Sequence, residues 1–405
     1  MRSLLLTSCL SLLLTGVGQA DSLNVRLVGD CPTPRWGWSL AVSGDYAYVA
    51  AQEGGLRVIS VADPAHPVEV GAWTSAPARG VAVSGGYACV ASQGRGLYVI
   101  DVADPANPVQ VGYCQACSTA SAVAVRDSYA YVAQMETTAA FCVVSIADPA
   151  HPVEVGNTHM SSFGYGVAVS GGYAYRVGSM SGLQVVSVAD PAHPVHVGGC
   201  NTPDWANGVA LNADYAFVAD RSAGLRVISV ADPASPVEVG FYDTPGSAYG
   251  VAVSADLAYV ADYDSGLRVV AVADPADPVE VGYYQAPGRT WGVAVDGDYV
   301  YVTYEGSGLI ILQFYGAGVD ETQGAEVRTA NPTSAVVRGD LRLGDWGRET
   351  GDQVELLDIS GKKVLDLHPG ANDVRALAPG VYFVRREPQA SSHKPQAIRK
   401  IVLTK

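Results

Sequence analysis

Six aspartates share one setting: the string Ala-Asp-Pro-Ala-x-Pro places them at Asp63, Asp104, Asp148, Asp190, Asp232 and Asp274, 41 to 44 residues apart. Recurring carboxylates invite a metal or acid/base reading, but six copies at one period point to a structural element. An aspartate can accept a bond from the backbone two residues on while proline fixes φ, which makes a sharp turn. His66, His151 and His193 fall at the variable position of this turn in three different repeats, so they are expected apart on a rim and not around one ion. Further acids, Glu53, Asp220, Asp262, Asp264 and Glu305, stand in other loops. Asp262-Tyr-Asp264-Ser-Gly266 has a weak calcium pattern that lacks the remaining ligands of a full loop, so no cofactor is expected. Cys114-Gln-Ala-Cys117 has no second pair to make a zinc site; a local disulfide, free thiols or a redox pair all fit its spacing. No nucleophile elbow, phosphate-binding glycine loop or His-Glu-x-x-His occurs.

The elements that carry these residues are strands. Each period holds four short runs rich in Val and Tyr; in the sixth they are Gly250 to Val253, Leu257 to Ala261, Gly266 to Val270 and Pro278 to Gly282. Turn residues separate them and none has helical spacing. Four strands in about 42 residues is the period of a propeller blade. The first run occurs seven times, beginning at Ser39, Gly80, Ala122, Gly166, Gly208, Gly250 and Gly292, which predicts seven blades. The last blade lacks its fourth run, and a spare one stands at the N-terminus as Val25 to Gly29. An N-terminal outer strand in that gap would close the ring and hide two open sheet edges.

The position just before each innermost strand faces the channel mouth. Its occupants are Trp38, Arg79, Ser121, Tyr165, Asn207, Tyr249 and Trp291, with Arg35, Trp36, Phe163, Trp205 and Arg289 in adjacent loops. Trp and Tyr offer flat apolar faces with a polar handle, suited to sugars or peptides. Two roles fit: rings that plug the channel, or a ligand-binding mouth at Trp38, Arg79, Tyr165, Asn207, Tyr249 and Trp291.

Composition narrows the partners. The 405-residue chain has a formal charge of −15, which argues against nucleic acid, since phosphate binding needs clustered Lys and Arg. Residues 1–314 hold 12 Lys and Arg against 28 Asp and Glu, and no lysine precedes Lys362, so a domain boundary is expected near 315. Arg2, the apolar run from Leu4 to Leu14 and Gly18-Gln19-Ala20 make an export signal over 1–20. No later segment has the ~18 uninterrupted apolar residues of a transmembrane helix.

The run Gly-Leu-Arg-Val-Ile-Ser-Val-Ala-Asp-Pro-Ala-x-Pro-Val at Gly55 to Val68 and again at Gly224 to Val237 resembles the LVIVD-repeat family. That implies a β-propeller in exported or surface proteins over 21–314, and carries over no site. After a linker at 315–330, residues 331–405 read as a small β-sandwich. Asn331-Pro332, Asp358-Ile-Ser-Gly361-Lys362, Leu377 to Val384 and the basic strand Ile398 to Lys405 resemble, in order, the type A sorting domain of the type IX secretion system. This implies a partner in the type IX secretion machinery, delivery to the extracellular surface of a Gram-negative bacterium, and tail cleavage within the linker. The expectation is an all-β, seven-bladed propeller with a sandwich tail, acting as a non-enzymatic binding module for a glycan or surface protein. An extracellular hydrolase or lyase using Arg79, Arg289 and loop carboxylates, or a structural surface-layer component, are the alternatives.

Overall fold

The computed structural model describes residues 22–35, 37–135, 141–160, 162–305 and 308–316 in full, and the backbone of seven strands between 334 and 403. The expected export signal at 1–20, Trp36, most of the Gln134 to Ala140 loop and most of the expected linker lie outside the described residues.

Seven antiparallel sheets, six of four strands and one of five, form a propeller. Their strands run in chain order from the innermost, A, to the outermost, D. Blades 1 to 6 span 39–73, 80–114, 120–158, 166–200, 208–242 and 250–284; blade 7 takes its A to C strands from 290–314. In blade 5 the strands are Gly208–Asn212, Tyr215–Ala219, Leu225–Ser229 and Val237–Tyr242. The B and C strands bury both faces, because each sheet packs against a blade on either side. One core joins Tyr48 and Val58 of blade 1 to Val90 and Ile100 of blade 2. Another joins Val49 and Ile59 of blade 1 to Tyr301 and Ile311 of blade 7, so the last blade packs on the first as the others pack on their neighbours.

In blades 3 and 7 the innermost strand starts two residues earlier than the sequence suggests, at Ala120 and Thr290. The cause is a register shift in each, between Ala120 and Ala122 and between Thr290 and Val293. Ser121 and Trp291 therefore lie within these bulges and not ahead of the strand, where the bulge re-aims the side chain.

The Asp-Pro turn does more than reverse the chain. Each of the six aspartates accepts a bond at 3.0–3.2 Å from the backbone two residues on. The turn's first proline carbonyl then lies against a D-strand glycine of the preceding blade. A Cβ on Gly71, Gly112, Gly156, Gly198 or Gly240 would come within 2.1–2.5 Å of that oxygen, so any larger residue would force the blades apart. A register shift in the C–D pairing beside each glycine bends the strand onto its neighbour.

Val25–Cys31 pairs antiparallel with Gly308–Phe314 on the outer side of blade 7, and its Gly29 sits 2.3 Å, by the same measure, from the Pro64 carbonyl of blade 1. Ser22–Leu23 pairs instead with blade 6, against Tyr283 and Tyr284, giving that sheet a fifth strand. Asn24, at φ +57, makes the step between them and donates its side-chain N–H to Val281 O at 2.6 Å. The N-terminal segment thus spans two blades.

In the C-terminal region, Ser334–Val337, Ala397–Leu403, Gly380–Glu387, Gln353–Leu357 and Lys363–Leu367 form one sheet in that order, and Asp340–Leu343 pairs with Gly370–Asp373. The Asp358 to Gly361 turn lies outside the described residues, between two strands that do pair.

Candidate functional site: an aromatic and guanidinium belt at the channel mouth

In an up-and-down blade the D-to-A and B-to-C loops share one face of the ring, and the A-to-B and C-to-D turns share the other. All seven positions singled out from the sequence, Trp38, Arg79, Ser121, Tyr165, Asn207, Tyr249 and Trp291, line one cavity of about 270 Å³ at the channel mouth on the first face. The side chains around it form a closed circuit. Trp38 and Trp291 have ring centroids 4.4 Å apart, and Trp291 meets Tyr249 edge-on at 4.9 Å. The Arg221 guanidinium lies 5.3 Å from the Tyr249 ring and 4.7 Å from that of Trp205, which stacks on Tyr165 at 6.2 Å. Arg79 closes the circuit, 6.0 Å from Tyr165 and 4.8 Å from Trp38. Five rings and two guanidiniums thus make seven cation–π or ring–ring contacts.

Two of these residues, Trp205 and Arg221, lie outside the predicted site, as does Tyr263, whose ring joins the belt 5.1 Å from Tyr249 and 5.0 Å from Trp291. In the sequence Trp205 stands in a loop adjacent to a mouth position, and Arg221 and Tyr263 stand beside the loop acids Asp220, Asp262 and Asp264. Arg221, Tyr263 and Gln52 occupy one B-to-C loop position in blades 5, 6 and 1, all with positive φ, and each bridges to the next blade at Ala248, Thr290 and Ala78. Non-glycine residues held in that conformation are fixed by their surroundings. The available signal was their shared offset before the Gly-Leu run.

Buried polar groups fix the loops that carry the belt. Asp220 accepts bonds from the Thr202 hydroxyl at 2.7 Å and Asp204 N at 3.0 Å. Asp262 does the same for Thr244 and Gly246, at 2.6 and 2.8 Å. Arg176, fully buried where six other blades have Val or its equivalent, donates to the Ser162 hydroxyl and carbonyl, three residues before Tyr165. Ser121 Oγ lies 2.9 Å from Ala133 O and 2.6 Å from Gly164 O.

The LVIVD repeat matches seven times, at 34–75, 77–116, 118–159, 165–202, 205–244, 245–286 and 287–313, about two-thirds of the chain. The chain belongs to the LVIVD-repeat family. No curated protein matches it. Among solved structures it is similar to the WD40 β-propeller domain of Doa1 and to the computationally designed Ika8 protein, each 10% identical. For Doa1 the TM-score is 0.57, covering 72% of this chain and 97% of that one; for Ika8 it is 0.53, covering 68% and 83%. Likeness at that identity shows the propeller fold alone.

Elsewhere in this LVIVD propeller the other candidate groups are engaged locally. His66, His151 and His193 each bond their own turn aspartate at 2.9 Å, on the face opposite the mouth, and hold Asp63, Asp148 and Asp190 below the usual carboxylate range. The two carboxylates of the calcium pattern are divided: Asp262 is buried on its loop, while Asp264 pairs with Arg289 at 3.1 Å. Glu305 also reaches Arg289, at 3.5 Å.

The Cys-x-x-Cys pair is not joined. Cys117 is bonded to Cys142 of blade 3, and Cys114 is a buried free thiol, as are Cys31 and Cys89. The repeat explains the partner: the C-strand position of Cys142 holds Arg57, Arg226 and Arg268 in blades 1, 5 and 6, which pair with D-strand Glu69, Glu238 and Glu280. Glu154 is the blade 3 counterpart of these glutamates, which is why it lies beside the disulfide.

Burial raises the Asp262 carboxyl to about 6, against the pull of its two hydrogen bonds and of Arg268. Between its unfolded value, ~3.9, and 6 the folded protein holds a proton that the unfolded chain releases. The stabilisation this gives is fully present below pH ~4 and is lost as pH rises to about 6, on the order of 3 kcal/mol in all. Asp262→Asn should remove that dependence. Urea unfolding of both proteins from pH 4 to 7 checks it: the wild-type stability should fall relative to the variant by about 2–3 kcal/mol, and parallel curves would disprove the assignment.

Proposed function

We propose that this chain is an exported, non-enzymatic recognition module that binds a glycan or a protein through the channel mouth. The belt carries this reading: Trp38, Tyr165, Tyr249 and Trp291 are gathered from four blades onto one cavity, with Trp205 of a fifth stacked on Tyr165, and large amphipathic rings supply most contact energy in recognition sites. The non-enzymatic part is supported by the residue types at the mouth, since the loop carboxylates Asp264 and Glu305 are held by Arg289.

Export by the segment 1–20 and by residues 331–405 as a type IX sorting domain belongs to the same proposal. The strands Gly380–Glu387 and Ala397–Leu403 fall on two of its motifs, and the two C-terminal sheets would form its sandwich. The Cys117–Cys142 bond suits an oxidising compartment. Val25–Cys31 would serve as the strand that closes the ring. Among the described residues no helix is long and apolar enough to cross a membrane.

A glycan and peptide array probed with the purified protein and with a variant carrying Ala at Trp38, Tyr165, Tyr249 and Trp291 tests the reading. Specific spots should be present for the first and absent for the folded second. Turnover of an arrayed substrate would instead favour the hydrolase or lyase alternative, and silence from both a structural role.

A further inference from the structure

Arg79 differs from Arg57, Arg226, Arg268 and Arg289 in what surrounds it. Arg57, Arg226 and Arg268 pair with strand glutamates, and Arg289 with two loop carboxylates. Arg79 has no carboxylate partner among the described residues; its side chain bonds only the neutral amide of Gln93, at 2.9 Å. Its position is equally unusual. Trp38 belongs to blade 1 and Tyr165 to blade 4, three blades on, so a guanidinium within 4.8 and 6.0 Å of both leans over the channel. Burial lowers its pKa from the ordinary arginine value, with only Tyr165 acting the other way.

A half-buried guanidinium with free donors and no counter-charge, in a protein of net charge −15, is matched by an anion brought from outside. We propose that Arg79 anchors the carboxylate of an acidic sugar, a uronate, whose ring packs on Trp38 at the channel mouth. This rests on the recognition reading above and names its ligand class. A sugar fits better than a peptide for three reasons. The cavity of about 270 Å³ is slightly below the ~300–1,000 Å³ of ordinary ligand sites and admits one ring-sized group. Aromatic faces flank the cation on both sides. Asn207 donates to Trp205 O at 2.8 Å and keeps its amide oxygen for a hydroxyl. Arg221, whose Nε is buried with no hydrogen-bond partner, is a second cation farther round the belt, where it also acts on the Asp204 carboxylate.

The test is calorimetric titration of the full chain with galacturonate oligosaccharides, neutral galactose oligosaccharides of equal length, inorganic sulfate and a glutamate-rich peptide. The uronate should bind at least ~10-fold more tightly than its neutral counterpart. Arg79→Gln should weaken the uronate ~10- to 100-fold and leave the neutral sugar unchanged. Arg79→Lys should fall between them, and Arg126→Gln, on the opposite face, should match wild type. Equal affinity for the neutral sugar, no uronate binding, indifference to Arg79→Gln, preference for the peptide, or sulfate binding as tight as the uronate would each overturn the proposal. If neutral sugar or peptide binds and Trp38→Ala abolishes it, the recognition reading stands while the uronate assignment falls.

Discussion

Deletion of residues 22–31 should destabilise the entire ring, by roughly 5 kcal/mol, and not merely fray one sheet. Val25–Cys31 makes six register pairs with Gly308–Phe314 and buries Val25 and Cys31 almost completely, at 1% and 4% exposure. Burial of those two side chains alone contributes ~3–6 kcal/mol, the scale of the loss expected. The same deletion removes the Gly29 contact with the Pro64 carbonyl, and so loosens the junction between blades 7 and 1. It also strips Ser22–Leu23 from blade 6 and leaves the Gly308–Phe314 edge open to pairing with another copy. Urea denaturation followed by circular dichroism measures this. The expected result is a lower midpoint of a single transition and concentration-dependent aggregation; an unchanged midpoint would show that the strand is dispensable.

Breaking the Cys117–Cys142 bond should have the next largest effect, about 3.5 kcal/mol. The bond closes a loop with a sequence separation of 25, and restricting the unfolded chain over that length accounts for a figure of this size. It ties the loop entering blade 3 to that blade's C strand, next to the core shared with blade 2, where Cys89, Cys114, Ala120 and Val132 pack. Blade 3 has no arginine at Cys142's position to pair with Glu154, so the covalent link replaces the ion pair of blades 1, 5 and 6. Cys142→Ala, compared with wild type with and without reductant, should match the reduced protein and lie about 3 kcal/mol below the oxidised one. A difference under ~1 kcal/mol would mean that the bond is incidental.

Most of the fold was legible because it repeats. The Asp-Pro turn and the Val-rich runs fix strand number, blade number and direction, since each copy checks the others. What repetition could not show was contact between copies. The D-strand glycine and the turn carbonyl it meets stand in consecutive repeats some 35 residues apart, and only the packed ring brings them together. The mouth positions were legible for the same reason: their place in the period is fixed while their identity varies. Arg221 and Tyr263 were missed because they enter the belt from the B-to-C loop, through a positive φ that nothing in their residue type announces. The Cys117–Cys142 pair was hidden because proximity in sequence favoured Cys114, whereas the partner is set by a strand position on the next blade. Arg176 was overlooked because one arginine in a Val-Tyr strand looks like a surface substitution, while the fold buries it beneath the loop that presents Tyr165.

The central claim is that the belt is a mouth and not a plug. Rings that only fill the channel would contribute ~0.5–1.5 kcal/mol per pair to folding and nothing to binding. The decisive measurement is therefore made on the variant with Ala at Trp38, Tyr165, Tyr249 and Trp291, taking its affinity for the strongest array ligand and its urea midpoint together. The account predicts at least a ~100-fold loss of affinity in a protein that still unfolds in one cooperative transition. Undiminished affinity, with the whole effect falling on the midpoint, would contradict it and make the belt a plug.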